Sequence, residues 1–155
     1  MKTSIMRHIS RATTMTAVIM LLTAASLSSC DIETSDNGDL DGMWHLRAVD
    51  TIATGGTCDM TDNSIYWNVQ TDLMVLEDKS DVYDDIVVRF TLANDTLRLY
   101  SPQLFYKADS GELDDIDKLK PYGLDSEDQS FAVERLDGSR MTLASETLRL
   151  YFKKF

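Results

Sequence analysis

From Leu40 to the end of the chain, apolar and polar residues alternate with a period of two, the repeat of a strand with one dry face and one wet face. In the stretch from Met43 to Asp50, Trp44, Leu46 and Ala48 fall on one face and His45 and Arg47 on the other. Ile86, Val88, Phe90 and Leu92 alternate with Val87, Arg89 and Thr91; Leu97 and Leu99 alternate with Thr96, Arg98 and Tyr100. The last segment places Leu148, Leu150 and Phe152 inward and Thr147, Arg149, Tyr151 and Lys153 outward. Further strands are predicted over 64–70, 72–77, 103–107, 129–136 and 140–144. Turn residues punctuate them at short intervals: Ala-Asn-Asp at 93–95, Asp-Gly-Ser at 137–139 and the polar run 77–85.

About eight or nine short antiparallel strands in sequence order define an all-β chain, either an up-and-down barrel or a sandwich. Closure into a single barrel of about eight strands removes exposed edges, so the barrel is the expected fold. One segment departs from the alternation. Leu113, Ile116 and Leu119 recur every third residue before Pro121 and Gly123, which predicts one short helix placed to cap an open end of the barrel.

The first 29 residues read differently. Lys2, Arg7 and Arg11 precede an apolar run from Met15 to Leu27 that has the length of a signal-peptide hydrophobic region and not of a membrane span. Leu27-Ser28-Ser29-Cys30 resembles the bacterial lipobox, in which the cysteine is acylated and becomes the first residue of the mature chain. The expected organisation is a lipoprotein signal peptide over 1–29, the acylated Cys30 with a flexible tether over 30–39, and a barrel domain over 40–155. Several acyl chains on one residue give stable anchoring where one chain is marginal. The expected location is the outer membrane, held through this anchor, with either face open.

Charge narrows the partners. The chain has 15 basic and 26 acidic residues; the leader holds three of the basic ones and no acid, which leaves the mature part at −14. Nucleic acid is excluded as a natural partner by that charge, and so is a purely electrostatic hold on anionic lipid. With Cys30 acylated, Cys58 is the remaining thiol, so no internal disulfide supports the fold and stability must come from the core.

Little in the chain offers chemistry. His45 is the single histidine after the leader, and its phase puts it on the outer face. One histidine and one thiol make no zinc site, and neither a nucleophile elbow nor a phosphate-binding glycine loop is present. Three acidic clusters, Asp81, Asp84 and Asp85, then Asp109 to Asp117, then Asp125 to Asp128, lack the spacing of a calcium loop and read as solvated loops. No catalytic residue, metal or cofactor is expected.

Residues 27–30, the stretch Leu40-Asp41-Gly42-Met43-Trp44-His45-Leu46 with Gly42-x-Trp44 opening the first strand, and the closing run 148–155 together resemble lipocalin-like lipoproteins of Gram-negative gut bacteria. The resemblance implies a barrel whose tryptophan closes one end beneath a basic side chain from near the last strand, a part open to Arg149 or Arg140. It implies a non-enzymatic binding role, with Trp44, Trp67, Phe90, Leu99, Phe131 and Phe152 as interior residues for a small hydrophobic ligand. A barrel of eight strands holds either one small ligand or only its own side chains. The filled alternative is an interaction module that meets another cell-envelope protein through loops such as 53–63 and 77–85.

Overall fold

The computed structural model describes residues 35–105 and 110–155; the expected signal peptide, Cys30 and the first part of the tether lie outside the described residues. Among the described residues ten strands form: β1 (Gly42–Thr51), β2 (Gly56–Asp59), β3 (Ile65–Gln70), β4 (Leu73–Asp78), β5 (Ile86–Ala93), β6 (Thr96–Phe105), β7 (Ser110–Glu112), β8 (Gln129–Leu136), β9 (Arg140–Ala144) and β10 (Leu148–Lys154). Antiparallel pairing runs β1-β3-β4-β5-β6-β8-β9-β10, and β10 pairs back onto β1, so eight strands close a ring. Among the described residues the two that stand outside the ring are β2, paired with the second half of β1, and β7, paired with the end of β6.

The expected up-and-down barrel is therefore the observed one, with most strand positions within a residue or two. The two strands expected at 96–100 and 103–107 are one continuous strand that turns at Ser101, where φ is 54°. Residues 93–96 make a two-residue hairpin with Asn94 and Asp95 both in the left-handed region, as the twist of a tight hairpin requires.

Three bulges re-aim the strands, at Leu46/Ala48, Val87/Arg89 and Val133/Arg135. One phase differs from expectation. In the segment predicted over 72–77 the sequence reading put Val75 inward, but Met74 and Leu76 face the core, because the register pairs Leu76 with the inward Trp67. Leu92, expected inside, is exposed at the end of β5.

The registers fix two unlike ends. Turns 70–73, 93–96 and 136–140 gather at one, together with the segment before β1. The long connections 52–64, 78–85, 105–129 and 144–148 gather at the other. Residues 35–39, expected to belong to the flexible tether, are tied to the short-turn end. Thr71 N–H donates to Ser35 Oγ (3.0 Å), Asn37 Nδ2 donates to Thr71 O (2.6 Å), and Leu40 is buried in the core.

Candidate functional site

The barrel interior is the candidate site. All six interior residues read from the sequence point inward and are buried: Trp44, Trp67 and Phe131 have no accessible surface, and Leu99, Phe152 and Phe90 have 2%, 3% and 7%. A side chain with no accessible surface touches no void wide enough for water, inside or outside. Trp67 lies at the centre, its ring 4.7 Å from that of Phe152 and 6.2 Å from that of Phe131. Phe90 keeps a little surface because it lines an outer groove with Asn37, Thr71 and Leu92 at the short-turn end. The aromatic rings thus meet one another where a ligand would otherwise lie.

Both ends are closed. At the short-turn end Trp44 Nε1 donates to Leu40 O (2.7 Å). The cation over its ring is Lys154, with Nζ 4.9 Å from the centroid, and the same Nζ donates to Asp39 O (2.9 Å). This corrects the expectation for Arg149 and Arg140. Arg149 is on the outer face, paired through two nitrogens with Glu134 at 2.9 Å each, and Arg140 is also exposed on the outside. Gly42 has φ 113°, and a Cβ there would meet Lys154 Cε at 3.0 Å, so the Gly42-x-Trp44 spacing makes room for the lysine stem.

Replacing Lys154 by methionine keeps the stem and removes the charge. We expect a loss of about 1–2 kcal/mol of stability, from the cation–ring contact and one hydrogen bond, read from urea unfolding.

At the loop end a 3₁₀ helix, Ile116–Tyr122, lies where a short helix was expected. Its buried residues are Leu119, Tyr122 and, after the turn at Gly123, Leu124, whereas Ile116 is 44% exposed. Gly123 has φ 81° and sits against Leu150, where a Cβ would come within 2.7 Å of its Cδ2. Tyr122 Oη donates to Asp84 O (2.8 Å) and Lys118 pairs with Asp84 (3.0 Å), so the cap is fastened to loop 78–85. Burial, with the charges of Asp85 and Asp78 added, raises the Tyr122 phenol well above its ordinary range.

That loop is organised by Asp78, a residue sequence reasoning passed over as one polar position among many. The residue is 3% exposed, and its carboxylate accepts from Ser80 N (2.9 Å), Ser80 Oγ (2.6 Å), Val82 N (3.0 Å) and Tyr83 N (3.1 Å). Burial alone would raise its pKa, but these hydrogen bonds outweigh it and hold the group below the usual carboxylate range. Asp85 next to it is pushed up, chiefly by burial and further by Glu77, Asp81 and Asp78.

The remaining candidates lie on the outside. His45 stacks on Tyr66 at 4.7 Å; its Nε2 is 2.7 Å from Asn63 O and its Nδ1 3.2 Å from Arg47, an arrangement that puts the proton on Nε2 and lets Nδ1 accept from the guanidinium. Cys58 is exposed on β2. Among the described residues, no three His, Cys, Asp or Glu side chains converge as metal ligands. Asp109 lies outside the described residues.

The fold is thus a closed eight-stranded antiparallel β-barrel, opened by Gly-x-Trp and plugged at that end by tryptophan beneath a cation. The lipocalin-like domain family matches residues 25–155, and the chain belongs to it. Among solved structures, a lipocalin-like protein from Bacteroides uniformis shares 22% identity at a TM-score of 0.58, covering 76% of this chain and all of that one. An uncharacterized protein from Bacteroides eggerthii shares 22% identity at a TM-score of 0.55, covering 74% of this chain and 98% of that one. Both likenesses are likenesses of fold. No curated protein matches the chain. Barrels of this kind are typically non-enzymatic.

Proposed function

We propose that this protein is a non-enzymatic lipoprotein of the outer membrane, anchored through Cys30, whose filled barrel serves as a rigid module that meets another cell-envelope protein through its loop end. The observation that carries this reading is the packed interior: Trp44, Trp67 and Phe131 have no accessible surface, and Leu119, Tyr122 and Leu124 close the end above them. The loop end, by contrast, exposes apolar side chains that a monomer gains nothing from exposing. Ile52, Val82, Tyr83 and Phe105 are 46%, 70%, 49% and 46% accessible, and they stand among acidic residues. A groove of about 240 Å³ between the loops, lined by Asp62, Ile65, Val82 and Tyr83 among others, gives that surface relief.

A second reading, a small hydrophobic ligand inside the barrel, is favoured by one specific observation. Among the described residues Trp67 Nε1 and Gln129 Nε2 are buried donors with no partner. A ligand carrying an acceptor would satisfy them once the 3₁₀ cap moved aside.

Native mass spectrometry of the protein purified from cells separates the two. The expected result is the bare mass, unchanged after incubation with fatty acids. A discrete extra mass that leaves on denaturation would overturn the filled-barrel reading and establish the second.

A further inference from the structure

On a strongly acidic protein, one groove is lined by bases. His45, Arg47, Lys153, Lys154 and Phe155 enclose about 330 Å³ on the outer wall, with no acidic side chain among the lining residues. Register extends the feature laterally. Arg140 pairs with Lys153, Lys153 with His45 and His45 with Tyr66, so one row across β9, β10, β1 and β3 reads cation, cation, imidazole, phenol. Phe155 is 85% exposed and sets its ring edge-on to Tyr66 at 5.9 Å.

Among the described residues, Arg47, Arg140 and Lys153 make no ion pair. Two of the six acids at the same end, Asp72 and Asp137, are held in ion pairs. Asp72 pairs with Arg89 (3.0 Å), Asp137 with Arg135 (2.7 Å), and Asp41 accepts from Asn37 (2.8 Å), which leaves Asp36, Asp39 and Asp95.

The loop end is far more acidic. Segments 77–85 and 112–128 hold twelve acids and three lysines. Each of those lysines is already paired: Lys79 with Glu77, Lys118 with Asp84 and Asp114, and Lys120 with Asp117. The molecule is electrically polarised along the barrel axis.

The chain that leads to Cys30 joins at the end that carries Arg140 and Lys153. Ser35 and Asn37 are hydrogen-bonded to Thr71, and five peptide steps at about 3.5 Å each keep Cys30 within roughly 18 Å of Ser35. From these observations we infer that the Arg47/Arg140/Lys153 row with Phe155 rests on the phosphate groups of the membrane lipids in which Cys30 is anchored, so that the acidic loop end points away from the bilayer. This rests on the anchoring part of the proposed function. The anchor supplies the attachment; tethering raises the local lipid concentration, so a patch too weak to bind by itself suffices to orient the barrel. Repulsion between the acidic end and lipid phosphate acts in the same direction.

The test uses the full-length lipidated protein, extracted from membranes and reconstituted in vesicles of phosphatidylethanolamine and phosphatidylglycerol containing a headgroup-nitroxide lipid. Two single variants report the two ends, Phe155→Trp and Val82→Trp; Trp44 and Trp67 are buried and give a constant background. Expected is a several-fold stronger nitroxide quenching of the tryptophan at 155 than of the one at 82, and loss of that difference when Arg140→Glu and Lys153→Glu are combined with each reporter. Equal quenching of the two reporters, or a difference that survives the charge reversals, overturns the inference while the anchor stands. Failure of the wild-type protein to float with vesicles would instead overturn the anchor reading, and this inference with it.

Discussion

Replacing Trp67 by alanine is expected to cost about 3–5 kcal/mol of stability, the range for deleting a large aromatic side chain from a packed core. Trp67 has no accessible surface, meets the rings of Phe152 and Phe131, and stands opposite Trp44 and Leu76 in the registers of β3. In a barrel that held a ligand cavity at this point, the same substitution would widen a space already there and cost under about 1 kcal/mol, because few packing contacts would be lost. Urea unfolding followed by far-UV circular dichroism decides between them. Two further measurements sharpen the result. Trp67→Phe removes the unpartnered indole N–H together with part of the ring, so the donor's removal offsets lost packing and the net cost stays within about 1.5 kcal/mol. Indole added to the alanine variant is expected to restore part of the loss by filling the new hole, as apolar cavities take up apolar molecules.

How much of this was legible depends on the signal each residue carries. The ring strands β3, β5, β8, β9 and β10 stand out because their alternation is clean. In β4 the run Leu73-Met74-Val75-Leu76 is apolar at every position, so the alternation has no phase to read and only the pairing with β3 decides it. Strand β2, Gly56-Thr57-Cys58-Asp59, is exposed throughout and has no buried face to mark it. The cation over Trp44 did leave a trace: Lys154 has the same parity as Leu148, Leu150 and Phe152, which puts it on the inner side at the very end of β10. The cap was visible as a helix, but its buried face was not. In a 3₁₀ helix residues three apart eclipse one another, so Leu119 and Tyr122 share the core-facing side and Ile116, one step earlier, lies beyond the barrel rim. The basic row on the outer wall escaped notice because it is assembled from β9, β10 and β1, and no local window of sequence contains it.

Replacing Asp78 by alanine is expected to cost about 1–3 kcal/mol at neutral pH, because it leaves three backbone N–H groups and the Ser80 hydroxyl of loop 78–85 without the acceptor that organises them. The consequence reaches beyond the loop. Segment 78–85 holds the cap through Asp84 and joins β6 through the bond from Phe105 N–H to Asp85 O (2.8 Å), so the variant should also release the 3₁₀ helix. Hydrogen exchange over 116–124 is expected to accelerate in Asp78→Ala, while amides in β8 and β9 keep their protection relative to the variant's own global stability. Acid adds an independent check. The Asp78 pKa is depressed in the folded state, so its contribution is complete above the unfolded aspartate value of about 4 and is lost as pH falls through the folded value. Asp85 has the opposite sign: its pKa is raised on folding, so it opposes stability at neutral pH and that opposition fades as pH falls through its folded value. Wild-type stability should therefore hold or rise slightly as mild acid neutralises Asp85, then fall below about pH 4 as Asp78 takes up a proton. In Asp78→Ala the lower of these two limbs is expected to flatten. An unchanged acid limb in the variant would mean that other carboxylates govern it and that the Asp78 cage contributes little to holding the loop and its cap in place.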